Sequence, residues 1–231
     1  MPKAADLLEQ ALQLDPNYAL AWGSLAGVHW SQALNEGWSA SREGSLELAM
    51  KASDRSLAID PEVAGGLTMR GLILLSYRDF DGALAHAEKA LLSAHNLANT
   101  HAAAAIILLA CGKPAEAIKQ VKKAIRLCPI YPAWFLWQLG ASHWALGQSD
   151  EAIATARSGI ESDPDLSYSY VLLAMVYAEA DRAPEARNAA AEVLRIDPDF
   201  SASTWAKGMP FSDPELEARQ LSALRKSGLP G

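Results

Sequence analysis

An all-α solenoid, a row of helix pairs stacked one on the next, is the fold class this sequence predicts, and two observations carry the prediction. The first is a short phrase ending in proline that returns at a fixed interval. Leu14-Asp15-Pro16, Ile59-Asp60-Pro61 and Ile196-Asp197-Pro198 are versions of it, joined by Leu127-Cys128-Pro129 and Ser162-Asp163-Pro164. Pro61 to Pro129 spans twice 34 residues, with His95 midway in the place of a proline; Pro129 to Pro164 is 35 and Pro164 to Pro198 is 34. A period of this length marks a repeat architecture. The second observation is a pair of small residues twelve and five places before each proline: Ala4 and Ala11, Ala49 and Ser56, Ala83 and Ala90, Ala117 and Ala124, Ala152 and Gly159, and Ala186 with Val193.

Each half of the period reads as one helix. After each proline comes a second helical pattern, as in Trp22-Leu25-Ala26, Leu136-Leu139-Gly140 and Tyr170-Leu173-Ala174, with Gly71 and Ala105 at the same small position. Small residues let two helix backbones approach closely. Proline then ends the second helix, because its ring clashes with the preceding turn. Gly112 and Gly147 fall where a first helix stops, the usual place for a left-handed cap.

Composition fits such an array and removes several function classes. Half of the 231 residues are apolar and a fifth are charged, which supports a large core and excludes a disordered tail. The longest apolar run, from Ala102 to Cys111, is too short to cross a bilayer. Met1 to Gln10 carries no signal-peptide pattern. Two cysteines, Cys111 and Cys128, cannot build a disulfide framework, so a reducing cytoplasm is expected. A net charge of −7 disfavours nucleic acid as a general partner.

These residues and their spacing resemble the tetratricopeptide repeat family, whose unit is a 34-residue helix-turn-helix, over nearly the whole chain. The resemblance implies one right-handed superhelical α-solenoid over 1–231, with the first helix of each unit lining a concave face. Departures from the family pattern are His29 and His143 in place of Tyr, His95 in place of Pro, and Arg70 in place of a core Leu. None of these histidines has a partner at metal-ligand spacing.

Taken in order, residues 3–14 supply only the second helix of a unit, which leaves an apolar face without its first helix. Either the chain is a piece of a longer protein or a partner covers that face. Full units follow at 19–61, 64–97, 98–131, 133–166 and 167–200. The first carries 11 extra residues within 31–44, including Trp38, read either as packing on the neighbouring helix or as a loop over the binding surface. Residues 201–209 begin another first helix, which Pro210-Phe211-Ser212-Asp213-Pro214 interrupts. Ser212 or Asp213 then caps a final helix at about 214–227, a polar-faced terminator of the array. This ending, with Leu224 to Pro230 and the 11-residue insertion, resembles the repeat regions that follow bacterial class III adenylate cyclase catalytic domains. That likeness implies a signalling context and no catalytic residue in this chain.

Counting from the small position names the groove residues the resemblance implies. They are Leu20, Gly23, Gly27 and Trp30; then Gly65, Thr68, Leu72 and Leu75; then Asn99, Ala102, Ile106 and Leu109. The fourth and fifth units offer Trp134, Trp137, Ala141 and Trp144, then Tyr168, Val171, Met175 and Glu179, and Trp205 follows on the interrupted helix. The set is too apolar for a solvated surface. Trp30, Leu72, Ile106, Leu109, Trp134, Trp137, Trp144, Tyr168, Met175 and Trp205 are therefore the expected partner-binding residues. The other reading turns some of these rings into inter-repeat packing, or covers them with the C-terminal helix. The family's carboxylate-clamp subfamily uses Lys, Arg and Asn here; only Asn99 matches.

A cationic row, Lys113, Lys119, Lys122, Lys123 and Arg126, falls on a second helix and reads as a solvated face or an acidic partner's dock. There is no phosphate loop, no paired Cys or His at metal spacing and no Gly-x-Ser-x-Gly elbow. No enzymatic activity, cofactor or metal is expected. The expected function is a cytoplasmic protein-interaction module that takes an apolar or amphipathic segment of a protein or peptide, with no nucleic-acid or membrane partner. Two alternatives stand beside it: self-association into a homo-oligomer through the groove or the uncovered first face, and a small apolar or sugar-like ligand held against the tryptophans.

Overall fold

The computed structural model describes residues 2–35 and 40–231; the segment that carries Trp38 lies outside the described residues. Among the described residues there are thirteen helices and no strand: α1 (Pro2–Leu14), α2 (Ala19–Asn35), α3 (Ala40–Ile59), α4 (Ala64–Ser76), α5 (Phe80–Ser93), α6 (Ala98–Ala110), α7 (Pro114–Leu127), α8 (Trp134–Ala145), α9 (Ser149–Ser162), α10 (Ser167–Glu179), α11 (Ala183–Ile196), α12 (Ala202–Gly208) and α13 (Pro214–Lys226). The fold is an all-α repeat solenoid.

The proline phrase works as a turn. Helices α1, α3, α7, α9 and α11 each end two residues before their proline. In three copies the aspartate before the proline bends back on the chain: the Asp15, Asp60 and Asp163 carboxylates accept from the amides of Asn17, Glu62 and Asp165 at 2.9, 2.9 and 3.2 Å. That bond gives a partner to the amide of the residue after the proline and closes an Asx turn. The turn inside each unit repeats as well. Amides of Asp79, Lys113, Gln148 and Arg182 reach back five residues to the carbonyls of Leu74, Leu108, His143 and Tyr177. This closure needs a left-handed residue just before the amide. Gly112 and Gly147 provide it at φ 74° and 73°, while Arg78 and Asp181 adopt it at φ 63° and 56° without glycine's freedom.

The periodic small residues are buried. Ala49, Ser56, Ala83, Ala90, Ala117, Ala124, Ala152, Gly159, Ala186 and Val193 all lie inside. Ala4 on α1 is exposed, because no described helix covers that side of α1.

The chain forms two compact units, Met1–Ile107 and Leu108–Gly231. In the first, α2 packs on α1, α3 and α4, and α4 packs on α3 and α5. Leu12, Leu25 and Ile73 centre a core that Trp22, Trp30, Met50 and Met69 flank. Gly23 was counted above as a groove position, yet it serves packing. A Cβ there would stand 3.0 Å from the Gly66 amide nitrogen, so the glycine is what lets α2 and α4 touch. Most of the 11-residue insertion lengthens helices: α2 continues to Asn35 and α3 begins at Ala40. Arg70, at the core-Leu position, pairs with Asp54 and reaches the Met50 sulfur at 2.6 Å.

In the second unit α8 packs on α7, α9 and α10, α10 also packs on α9 and α11, and α13 lies against α10 and α12. Phe135, Val121, Val171, Val176, Val193 and Leu224 are its most deeply buried large apolar side chains.

Candidate interaction surface

The second unit gathers most of the expected partner-binding residues into one aromatic cluster. The Trp137 ring lies 5.2 Å from Tyr168 and 6.2 Å from Trp205, centroid to centroid, and Tyr168 meets Trp205 edge-on at 4.9 Å. Leu109, Trp137, Trp144, Met175 and Trp205 also share one small cavity of about 30 Å³, whose lining is almost wholly apolar. Trp134 is not among the rings of this group; it meets Phe135 edge-on at 4.4 Å. Burial and the nearby Asp197 carboxylate push the Tyr168 hydroxyl above its ordinary pKa.

The cluster is not open in the way the spacing suggests. Leu72, Leu109 and Met175 are buried, and Trp137 and Trp144 are only 7% and 2% exposed. Trp30, Ile106, Trp134, Tyr168 and Trp205 are half-buried. For the second unit the physical cause is the chain's own C-terminal segment, which lies over the face that α8 and α10 present. Phe211 packs against Trp144 at 6.2 Å, and the Ser212 amide donates to the Ala110 carbonyl at 2.8 Å. Arg219 stacks over the Trp144 ring at 4.7 Å and grips both oxygens of Glu179 at 2.7 Å. The Trp144 indole N–H donates to the same carboxylate at 2.9 Å. In the first unit, Trp30 turns its N–H to the Ser76 hydroxyl at 3.1 Å and packs against the Leu12–Ile73 core.

Sequence reasoning missed Phe211, Arg219 and Gln220. A proline-flanked Phe was the one signal for the first; Arg219 and Gln220 sit on a helix whose composition reads as solvated. In the structure Gln220 is buried together with Ala223, Leu224, Ser227 and Leu229, whereas Leu216 and Leu221 stay half-exposed. The Ala202 amide donating to the Pro230 carbonyl at 2.7 Å fastens the chain end to α12.

The remaining sequence candidates make contacts of their own. Lys119, Lys122 and Arg126 project from α7 as an exposed row beside half-buried Lys123, opposite the buried Ala117-Val121-Ala124 face. His143 bonds the Gln148 side chain at 2.6 Å, and His29 the Gln32 side chain at 3.0 Å. Among the described residues, no three His, Cys, Asp or Glu side chains are grouped to hold a metal ion, and no helix is long and apolar enough to cross a membrane.

A clamp near the end of α13 gives a pH expectation. The Lys226 ammonium donates to Asp181 at 2.6 Å and holds that carboxyl below its usual range. A depressed carboxylate contributes stability above its unfolded pKa, about 3.9, and loses it as pH falls through the lowered folded value. Amide exchange from α13, corrected for intrinsic rates, should therefore rise below about pH 4, near that reference value. Asp181→Asn should remove that pH response, and an identical response in the variant would show the clamp to be idle.

Comparison with known proteins places this geometry. Residues 138–199 match the family model described as Tetratricopeptide repeat. No curated protein matches the chain. Among solved structures it is similar to a thermophilic tetratricopeptide repeat protein of Thermus thermophilus, at TM-score 0.60 and 21% identity over 85% of this chain and 99% of that one. PilW, a type IV pilus biogenesis factor, superposes at TM-score 0.63 and 17% identity over 88% of this chain and 89% of its own. YrrB, described as a repeat protein with an unusual peptide-binding site, does so at 0.52 and 19% over 85% and 95%. At these identities the likeness is one of fold.

Proposed function

We propose, for a chain with the fold of tetratricopeptide repeat solenoids, a role as a protein-interaction module that receives an apolar or amphipathic segment on the face of α8 and α10. One observation carries the reading. That face holds a close-set group of aromatic rings, and a helix-bearing segment already lies across it, anchored by Phe211 and Arg219. A surface that accepts one amphipathic helix has the shape and chemistry to accept another. Aromatic rings with a polar edge are the usual anchors of such interfaces. The tail likeness to adenylate cyclase-associated repeats suggests that the module serves a larger bacterial signalling protein in the cytoplasm. Its mechanism is complementarity on a formed surface, with no chemistry of its own.

The test is affinity capture from a bacterial lysate with the full chain beside a Trp134→Ala, Trp205→Ala variant. Both changes fall on half-buried rings, and circular dichroism would check that the variant keeps its helix content. The expected result is a protein retained by the parent and reduced at least tenfold on the folded variant. Equal retention by both chains would remove this face from the reading.

A second reading has its own observation. On α1, Leu7 and Leu14 are 58% and 89% exposed and continue the stripe of exposed Ala4. A second copy covering that stripe would make the chain self-associate. Light scattering after size exclusion separates the two readings: a concentration-dependent dimer that Leu7→Ser, Leu14→Ser abolishes favours the scaffold.

A further inference from the structure

The C-terminal segment, which also buries Leu224 and Leu229, fits the aromatic cluster well at Phe211 and Arg219 and poorly at Gln220. Good fit comes first from Phe211, buried against Trp144, and then from Arg219, which bonds both Glu179 oxygens and donates to the Trp144 carbonyl at 3.2 Å. Poor fit centres on Gln220. Its side chain is buried, lines the same cavity of about 30 Å³, and its amide oxygen has no hydrogen-bond partner. An unpaired buried acceptor beside empty apolar space disfavours this contact relative to an apolar side chain of the same shape. So the segment occupies the face without completing it.

We propose that the face formed by α8, α10 and the end of α6 is a receptor for a partner's amphipathic helix, and that residues 209–230 are its resident, displaceable occupant. The incoming segment is defined by the contacts on the page: an aromatic anchor three residues ahead of the helix, a cation eight residues after that anchor to meet Glu179, and an apolar residue directly after the cation to fill the cavity where Gln220 leaves it open. This inference rests on the interaction reading above and gives it a ligand chemistry. The resident segment is tethered, so it re-closes without a bimolecular encounter, and a partner binds only the open fraction of molecules. Apparent affinity for a partner is therefore set by how well the resident segment fits. Any substitution in that segment should move partner affinity in the direction opposite to its effect on closure.

That inverse relation is the test. The probe is a fluorescein-labelled peptide of residues 209–230 carrying Gln220→Met, titrated by anisotropy into three full-length chains. Met is close to Gln in shape and its flexible thioether fits irregular apolar gaps. Against the parent, the chain with Arg219→Ala should bind the probe at least tenfold more tightly. The chain whose own segment carries Gln220→Met should bind at least threefold more weakly and melt higher. The same affinity in all three would overturn the proposal, as would failure of the probe to bind an Arg219→Ala chain that melts like the parent. Should Arg219→Ala not fold, the Gln220→Met chain decides: binding no weaker than the parent's rejects displacement. Lysate capture lost on Trp134→Ala, Trp205→Ala but unmoved by Arg219→Ala would reject displacement and leave the interaction reading in place.

Discussion

Trp144→Ala is expected to destabilise the second unit by about 3–5 kcal/mol, the range for deleting a buried aromatic ring. The ring is nearly inaccessible and Phe211 packs on it. Arg219 lies over its face and its N–H holds Glu179, so the substitution removes packing, a cation–π contact and a charge-assisted hydrogen bond together. Glu179 keeps Arg219 as a partner, which limits the loss to the ring's own contacts. A urea titration followed by near-ultraviolet circular dichroism reads the change, because that signal comes from aromatic rings held in packed surroundings. A shift smaller than about 1 kcal/mol, the centre of the distribution for ordinary substitutions, would mean that Trp144 is a surface ring after all. The groove count from sequence leads to the opposite expectation, a binding defect in a stable protein. The covering segment is what reverses it.

Gly71→Leu is the second large effect. A Cβ at this position would lie 2.6 Å from the Ile107 side chain and 3.1 Å from the Ala83 carbonyl oxygen. Ile107 can turn aside, but the carbonyl belongs to α5's own backbone and cannot. Alanine would gain about 0.8–1.0 kcal/mol of helix propensity over glycine, so Gly71→Ala weighs that gain against the contact with α5. For leucine the contact wins, since overpacking costs about 1–3 kcal/mol on top of any backbone shift. Thermal unfolding should show the Leu variant melting several degrees below the parent and below Gly71→Ala. Equal melting of Gly71→Leu and the parent would mean that α4 and α5 do not meet as described.

The helices were legible because proline, aspartate and the small residues act locally. Ile59-Asp60-Pro61 ends α3 wherever it is placed, and Ala83 and Ala90 mark the buried side of α5 by spacing alone. The same counting put Trp137, Trp144, Tyr168, Met175 and Trp205 on one surface, and in the second unit these side chains do come together. Their covering was not legible. α13 carries Arg219 and Gln220 where a solvated face was expected, and of its three leucines only Leu224 lies on the stripe it buries. Burial of Gln220 depends on which neighbour α13 meets, and no local pattern encodes that choice. Arg78 and Asp181 were hidden for a similar reason: their left-handed backbone is imposed by the repeat's turn, against the preference of the residue that occupies it.

Native-state hydrogen exchange, read by mass spectrometry on the full chain at low urea, tests the central claim most directly. If residues 209–230 are a displaceable occupant, amides of α13 exchange through a local opening while those of α8 and α10 stay protected. The Gln220→Met chain should slow that opening without changing α8 and α10. Exchange of α13 in step with α8 and α10, at every urea concentration, would make the segment an integral part of the fold and contradict the account.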